Sequence, residues 1–316
     1  MAIRFMDGFD QFDGQTDVAA AMRLAGYGVE GKTDISVGRT SSTRAITTEG
    51  LVQRTFSSSA TKVVIGFAYC AQTARATIVS IKDFIDLEWP GALKVNSVVG
   101  VAKPIIGVWY YYEIVIDKDN HEVRIYINNE LDFSVAIPDE KMFIKDYVIT
   151  WECLNNTGGK SIDDLMIIDS NGGTNKDRVG PVALTMRLPR SDVITEFSVN
   201  NENFHFANVN QLPPKDGSYI QSNVSKAVDM FLSNDPVPQG DPIAVGMVAI
   251  AKKSDIDGRQ MGFVVGDAKG DNKEVLITDI NTENNFYYGV FETDPKDQPW
   301  TNASVQSMPF GVKVRP

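Results

Sequence analysis

The carboxylates of Asp86-Leu87-Glu88-Trp89 have the spacing best suited to chemistry in this sequence, because alternate positions of a β-strand share one face. Two carboxylates about 5–5.5 Å apart on one face can divide the roles of acid and nucleophile in glycoside hydrolysis. A hydrolase strand of the form Glu-x-Asp-x-x-Glu centred on Asp86 would have its outer carboxylates where Phe84 and Trp89 stand. The set is incomplete, so Asp86 and Glu88 read as a solvated strand or turn and no catalytic residue is assigned. The two histidines, His121 and His205, have no Cys or His nearby in sequence, and there is no Gly-x-Ser-x-Gly elbow. Zinc hydrolysis and serine-nucleophile chemistry therefore lack a framework. His121 falls in a predicted turn, and His205, between Phe204 and Phe206, reads as a packed strand residue. The glycines of 262–270 lack the Lys-Ser/Thr ending of a phosphate loop.

Binding chemistry has more candidates. None of the acids Asp117, Asp119 and Asp163 has the spacing of a dedicated calcium loop, and no residue is assigned as a metal ligand. Asp163 and Asp164 are adjacent, so in a regular strand they point to opposite faces and do not share a ligand. Asp255-Ile256-Asp257-Gly258 begins like a calcium loop, but its twelfth position is Gly266 where a bidentate Glu is required, so it reads as a β-turn. The run Trp109, Tyr110, Tyr111 and Tyr112 is the candidate interaction or glycan platform, the alternative being core packing on one face and subunit contact on the other.

The elements that position these residues are predominantly strands. Apolar and aromatic runs, broken every 8 to 15 residues or so by Gly, Asn, Asp or Pro, predict strands at 63–69, 110–116, 123–127, 131–137, 147–153 and 165–168. The same grammar continues at 193–199, 243–251, 261–265, 274–278, 286–291 and 310–314. Residues 112–117 and 122–127 flank the polar turn 118–121, and Asn128-Asn129 supplies a second turn, because Asn tolerates positive φ. Helix is predicted only over 17–25, with Asp17 as cap and Gly26 as stop, and over 225–232. Residues 294–301 read as a turn region. The glycine-rich stretch 170–180 marks a boundary between a domain at 1–175 and another at 181–316.

With 316 residues the chain is long enough for two domains. Lys plus Arg number 30 and Asp plus Glu 41, a net charge of −11, which disfavours nucleic acid and anionic membrane surfaces as partners. The longest nearly uncharged apolar run, 104–112, is too short to span a bilayer, and the first ten residues lack a signal-peptide apolar stretch, so a soluble, non-secreted protein is expected. Cys70 and Cys153 each sit in an apolar β-like run and read as buried thiols.

Phe5-Met6-Asp7-Gly8-Phe9-Asp10, Gly66-Phe67, the Trp109 strand with its hairpin, and Ile162-Asp163-Asp164-Leu165 resemble the concanavalin A-like, laminin-G-like sandwich. In that family a Trp precedes the hairpin and an Asp-Asp-Leu strand closes the sheet, and loop carboxylates often bind calcium, so the resemblance leaves calcium open as the one cofactor, held by Asp117, Asp119 or Asp163, against an exposed hairpin turn. Residues 292–301, Val305 and 310–314, with the link from Val179-Gly180-Pro181-Val182 to Leu188-Pro189 and Asp192, resemble a set of tailed-bacteriophage virion structural proteins. The implied fold is all-β: a concanavalin A-like (jelly-roll) sandwich followed by a second β-rich domain. The implied function is a structural, non-enzymatic component of a virion, in tail, baseplate, fibre or head surface, acting as a homo-oligomer. Its implied partners are other copies of itself and other virion proteins. The alternative is a lectin-like module that binds host-surface glycan. The implied location is the virion, after synthesis in the host cytoplasm.

Overall fold

The computed structural model describes residues 2–72, 76–152, 160–255, 258–267 and 270–316. The chain divides into two compact units, Met1–Thr185 and Met186–Pro316. Both are built of antiparallel strands, so the expected all-β class holds, with the first unit a two-sheet sandwich. Cys153, and the Asp257 of the loop that resembles a calcium site, lie outside the described residues.

One sheet of the first unit runs in the order Glu130–Ala136, Glu122–Ile127, Trp109–Asp117, Lys62–Ala71, Lys160–Asp169, Arg44–Thr48 and Thr33–Val37, with Ile3–Asp7 also paired to Lys160–Asp169. The other runs Val98–Val99, Lys94–Val95, Ile85–Trp89, Ala76–Ile81, Asp146–Glu152, Leu51–Ser57 and Tyr27–Glu30. Their facing aromatics form the core: Phe67 stacks on Tyr112 at 5.7 Å and meets Trp151 of the opposite sheet edge-on at 5.5 Å. Burying each such ring contributes about 2–3 kcal/mol, which makes this seam a main source of the unit's stability. The predicted meander is present: Asp117 pairs with Glu122 and Ile127 with Glu130, and both Asn128 and Asn129 have positive φ. The predicted first helix is Val18–Leu24, with the Asp17 side chain accepting from the Ala20 amide.

The strand Lys160–Asp169 is irregular at one place that matters. On one side it pairs with Arg44–Thr48 through residues 160–162 and with Ile3–Asp7 through residues 165–168. Asp163 and Asp164 fall in the gap between these two partners. The register to Lys62–Ala71 also slips there, and Asp164 has a φ of 52°. A bulge with one left-handed residue re-aims side chains.

In the second unit the sheet order is Ser191–Thr195, Val228–Leu232, Phe310–Arg315, Gln260–Gly266 and Asn272–Ile277. Val245–Ala251 pairs with Asn285–Phe291, and Ser198–Val199 with Ile220–Gln221. Phe263, Val265, Phe291 and Trp300 form its core, with the Trp300 indole N–H donating to the Phe291 carbonyl at 2.7 Å.

Three sequence expectations change. The helix predicted at 225–232 is replaced by the strand Val228–Leu232, because a segment held between two strands and buried along nearly its whole length satisfies its backbone through the ladder. The strand predicted at 193–199 breaks after Thr195, where the Glu196 and Phe197 amides donate to Asp229 Oδ1 at 2.7 and 2.8 Å. The unit division falls at 185/186, so residues 181–185 pack with the first unit instead of opening the second.

Candidate functional site

The most distinctive surface of the first unit is the segment 96–108 that leads into the Trp109 strand. Val99, Val101, Ile105, Ile106 and Val108 are all exposed on it, Val101 by 83% and Ile105 by 62%, and Leu131 is exposed on the adjoining edge strand. The segment is held by hydrogen bonds. Asp132 Oδ1 accepts the Val101 and Ala102 amides, each at 2.8 Å, and the Ile105 amide donates to the Tyr110 hydroxyl at 3.1 Å. The Gly100 amide donates to Leu93 and the Gly107 amide to Ala71. With Val98, exposed by 37%, the segment displays six aliphatics, which is uncommon on a protein that stays alone in water. Lys103 is the one charged residue from 96 to 110, so the surface is close to neutral on a strongly acidic chain.

The aromatic run divides. Tyr111 is 2% and Tyr112 1% exposed, whereas Trp109 and Tyr110 are half-buried. Tyr112 faces the inter-sheet core. Tyr111 lies on the opposite face over Gly66, where an added Cβ would stand 2.5 Å from its hydroxyl. Burial raises both phenols well above their ordinary pKa. This corrects the four-residue platform: Tyr111 and Tyr112 are withdrawn from any sugar face, and Trp109 and Tyr110 remain.

The outer face of the same sheet carries charges. Glu113, two residues on from Tyr111, accepts the Arg178 guanidinium at 2.6 and 3.0 Å and the Gly180 amide at 3.0 Å. The Arg178 guanidinium also lies 3.5 Å from the centre of the Tyr126 ring. Asp163 Oδ2 accepts the Arg39 amide at 2.9 Å and the Thr43 hydroxyl at 3.3 Å. Gly38 lets this loop approach, since a Cβ there would stand 2.5 Å from Asp163 Oδ2. Asp164 Oδ2 lies 3.0 Å from Arg39 Nη2, and its Oδ1 accepts the Leu184 amide at 2.6 Å. Two adjacent carboxylates expected on opposite faces are therefore both held by Arg39, because the bulge turns Asp164 out of alternation. Burial raises both pKa values. Asp164, next to the Asp163 charge, is pushed up to about 7. Nothing in the sequence marks the gap in the ladder that creates this node. The only local signal is the doublet of acids in an apolar strand.

The other candidates are separated. Asp86 and Glu88 are exposed on alternate positions of Ile85–Trp89, with Asp86 accepting from the Ser80 hydroxyl and Glu88 3.6 Å from Lys94 Nζ. Trp89 is buried behind them. Asp117 accepts from Asn120 and from Arg124 at 2.8 Å, and Asp119 from the Thr61 hydroxyl at 2.7 Å. Asp163 meets Ala68 of the neighbouring strand while Asp117 meets Lys62, six residues along, so the calcium candidates do not converge. Among the described residues no three His, Cys, Asp or Glu side chains form a metal-holding group. Cys70 is buried, as expected. His205 is not in a strand: it precedes the short turn Phe206–Asn208, with its Nδ1 2.5 Å from Asp229 Oδ2. Among the described residues no helix is long and apolar enough to cross a membrane.

No family model matches the chain. No curated protein matches it either. Solved structures similar to it include domain 4 of AbnA, an extracellular arabinanase from Geobacillus stearothermophilus, at 18% identity over 44% of this chain and 76% of that one, with a TM-score of 0.34. The type G botulinum neurotoxin receptor-binding domain is 15% identical over 83% of this chain and 75% of that one, with a TM-score of 0.32. The carbohydrate-binding module CBM66 from Bacillus subtilis is 9% identical over 46% of this chain and 96% of that one, with a TM-score of 0.30. Nothing about what this chain binds follows from likenesses at these scores.

Proposed function

We propose that this chain is a non-catalytic assembly protein, a structural component of a tailed-bacteriophage particle that works as a homo-oligomer. The observation that carries the assembly reading is the ordered apolar surface at 96–108, with Val101 and Ile105 at its most exposed positions. The phage assignment is supported by the sequence resemblance of the C-terminal stretch. A second copy is the occupant that the charges favour. Acidic chains repel one another over most of their surface, and the acid at this face, the half-buried Asp132, is engaged by the Val101 and Ala102 amides, while the surroundings carry both signs in exposed Lys103, Glu88 and Glu130. A self-complementary contact needs that combination of a neutral centre and a mixed rim. A membrane surface fits poorly, because one lysine on a chain of net charge −11 gives no basic cluster for anionic lipid.

The second reading, a lectin-like module, rests on Trp109 and Tyr110, half-exposed beside the same face. Sedimentation across a concentration series, paired with a glycan array, separates the two. Association without glycan signal supports the first reading. A monomer that retains specific glycans supports the second.

A further inference from the structure

The first sheet's three central strands are buried on nearly every residue, so something covers their outer face as well as their core face. The cover is an extended segment, residues 177–184, in which Gly180, Val182 and Leu184 face inward and Pro181 and Ala183 are exposed. It crosses the strands and is pinned at five points. Asp177 meets Lys62 at 2.8 Å, and Arg178 and the Gly180 amide meet Glu113. The Val182 carbonyl accepts from Arg39, and the Leu184 amide donates to Asp164. Each pin joins this segment to a charged side chain. Ahead of it, Gly172 and Gly173 have positive φ within an exposed stretch, a ready hinge.

A cover held by charges differs from one held by apolar packing. Lifting it returns desolvated carboxylates to water and so recovers much of what the broken hydrogen bonds lose. The charges beneath it are also unbalanced. Asp163 and Asp164 share Arg39, and Asp10, which accepts the Arg44 amide at 2.6 Å, adds a third acid nearby. The remaining groups facing the pair are the Tyr111 phenol, raised partly by the Asp164 charge, and the Thr43 hydroxyl. Closure thus confines at least two acids against one guanidinium.

We propose that residues 177–184 form a latch whose closure over the outer face of the first sheet takes up a proton at the Asp163–Asp164 pair, so that acid tightens it and alkali releases it. Burial and the Asp163 charge raise the Asp164 pKa against the lowering by Arg39 and by the Leu184 amide, and the net rise agrees with this sign. A group whose pKa is raised when covered favours the covered state below that value and the open state above it. Release would free this stretch of chain without unfolding the first unit's sandwich.

Hydrogen exchange of the full-length protein tests the latch. Protection of the Gly180 and Leu184 amides, corrected for intrinsic exchange, is compared at pH 5.5 and 8.5, with amides of Lys62–Ala71 as an internal reference. The expected result is about a thirtyfold fall in protection at pH 8.5, accumulated over the 1.5 pH units from 5.5 up to a value near 7, with the Gly180 and Leu184 amides exchanging well ahead of the reference strand and without dependence on dilute urea. Asp164→Asn should abolish the fall. If that variant does not fold, Asp163→Asn should move its midpoint to lower pH by removing the neighbouring charge. Equal protection at both pH values, Gly180 and Leu184 amides no less protected than the reference strand, or a wild-type pH profile in either variant would overturn the proposal.

Discussion

Arg39 Nη2 lies 3.0 Å from Asp164 Oδ2 and donates to the Val182 carbonyl, so one guanidinium ties a buried sheet carboxylate to the segment that covers it. Asp164 is 1% exposed, and the backbone amide of the same arginine donates to Asp163 Oδ2 at 2.9 Å. This node makes the first unit's stability depend on pH in a direction opposite to that of most salt-bridged carboxylates.

Burial raises Asp7, Asp163 and Asp164, the last to about 7, so the folded state keeps protons that the unfolded chain releases near pH 4. Folding stability is therefore greatest at the acid side and falls as pH rises from about 4 through 7. Asp177 and Asp235 are held low by Lys62 and by Leu188 and Arg190, and they act in the opposite sense, below about pH 4. Calorimetry at pH 5, 6.5 and 8 should show the first unit's Tm dropping by several degrees, on the order of 5 °C. Asp164→Asn should flatten that slope, and a Tm that climbs toward pH 8 would refute the assignment.

Arg178→Ala leaves Glu113, 2% exposed, without its cation. The loss expected for stranding one member of a buried pair is about 3 kcal/mol, and pairing the change with Glu113→Gln should recover part of it. Urea unfolding of the two variants and the double variant measures the coupling.

Gly66→Ala places a methyl group 2.5 Å from the Tyr111 hydroxyl and should cost about 1–3 kcal/mol through overpacking. Adding Tyr111→Phe removes the clashing oxygen. Recovery of stability in the double variant, seen by denaturant titration, would show that Gly66 is there to seat this ring. No recovery would mean that the glycine serves the backbone.

In the second unit, Trp300→Phe keeps an aromatic ring in the core and removes the donor to the Phe291 carbonyl. About 1–2 kcal/mol of stability should be lost with this buried hydrogen bond.

The strands and hairpins were legible because their signals are local. The alternation of 112–117 and 122–127 survives any packing of two sheets, and paired Asn residues at 128–129 have few conformations other than a tight turn. The strand Val228–Leu232 was not legible, because a five-residue apolar run takes its conformation from the strands on either side. The site was readable only in part. The apolar run beginning at Pro104 is visible in the sequence, but its first residues are surface loop and its last are core strand, and only the fold decides where exposure ends. The Asp163–Asp164 node was illegible for a different reason: it depends on a change of strand partner between residues 162 and 165, set by segments more than a hundred residues away.

In the proposed assembly the surface at 96–108 joins copies of this chain. Its most direct test is the solution mass, by light scattering, of the wild-type protein beside a Val101→Glu/Ile105→Glu variant whose fold is checked by circular dichroism. Both residues are exposed, so the substitutions should leave the fold intact while putting two like charges into the contact. A defined wild-type oligomer and a monomeric, folded variant is the predicted result. A wild-type monomer at every concentration, or an oligomer unchanged by both glutamates, would contradict it.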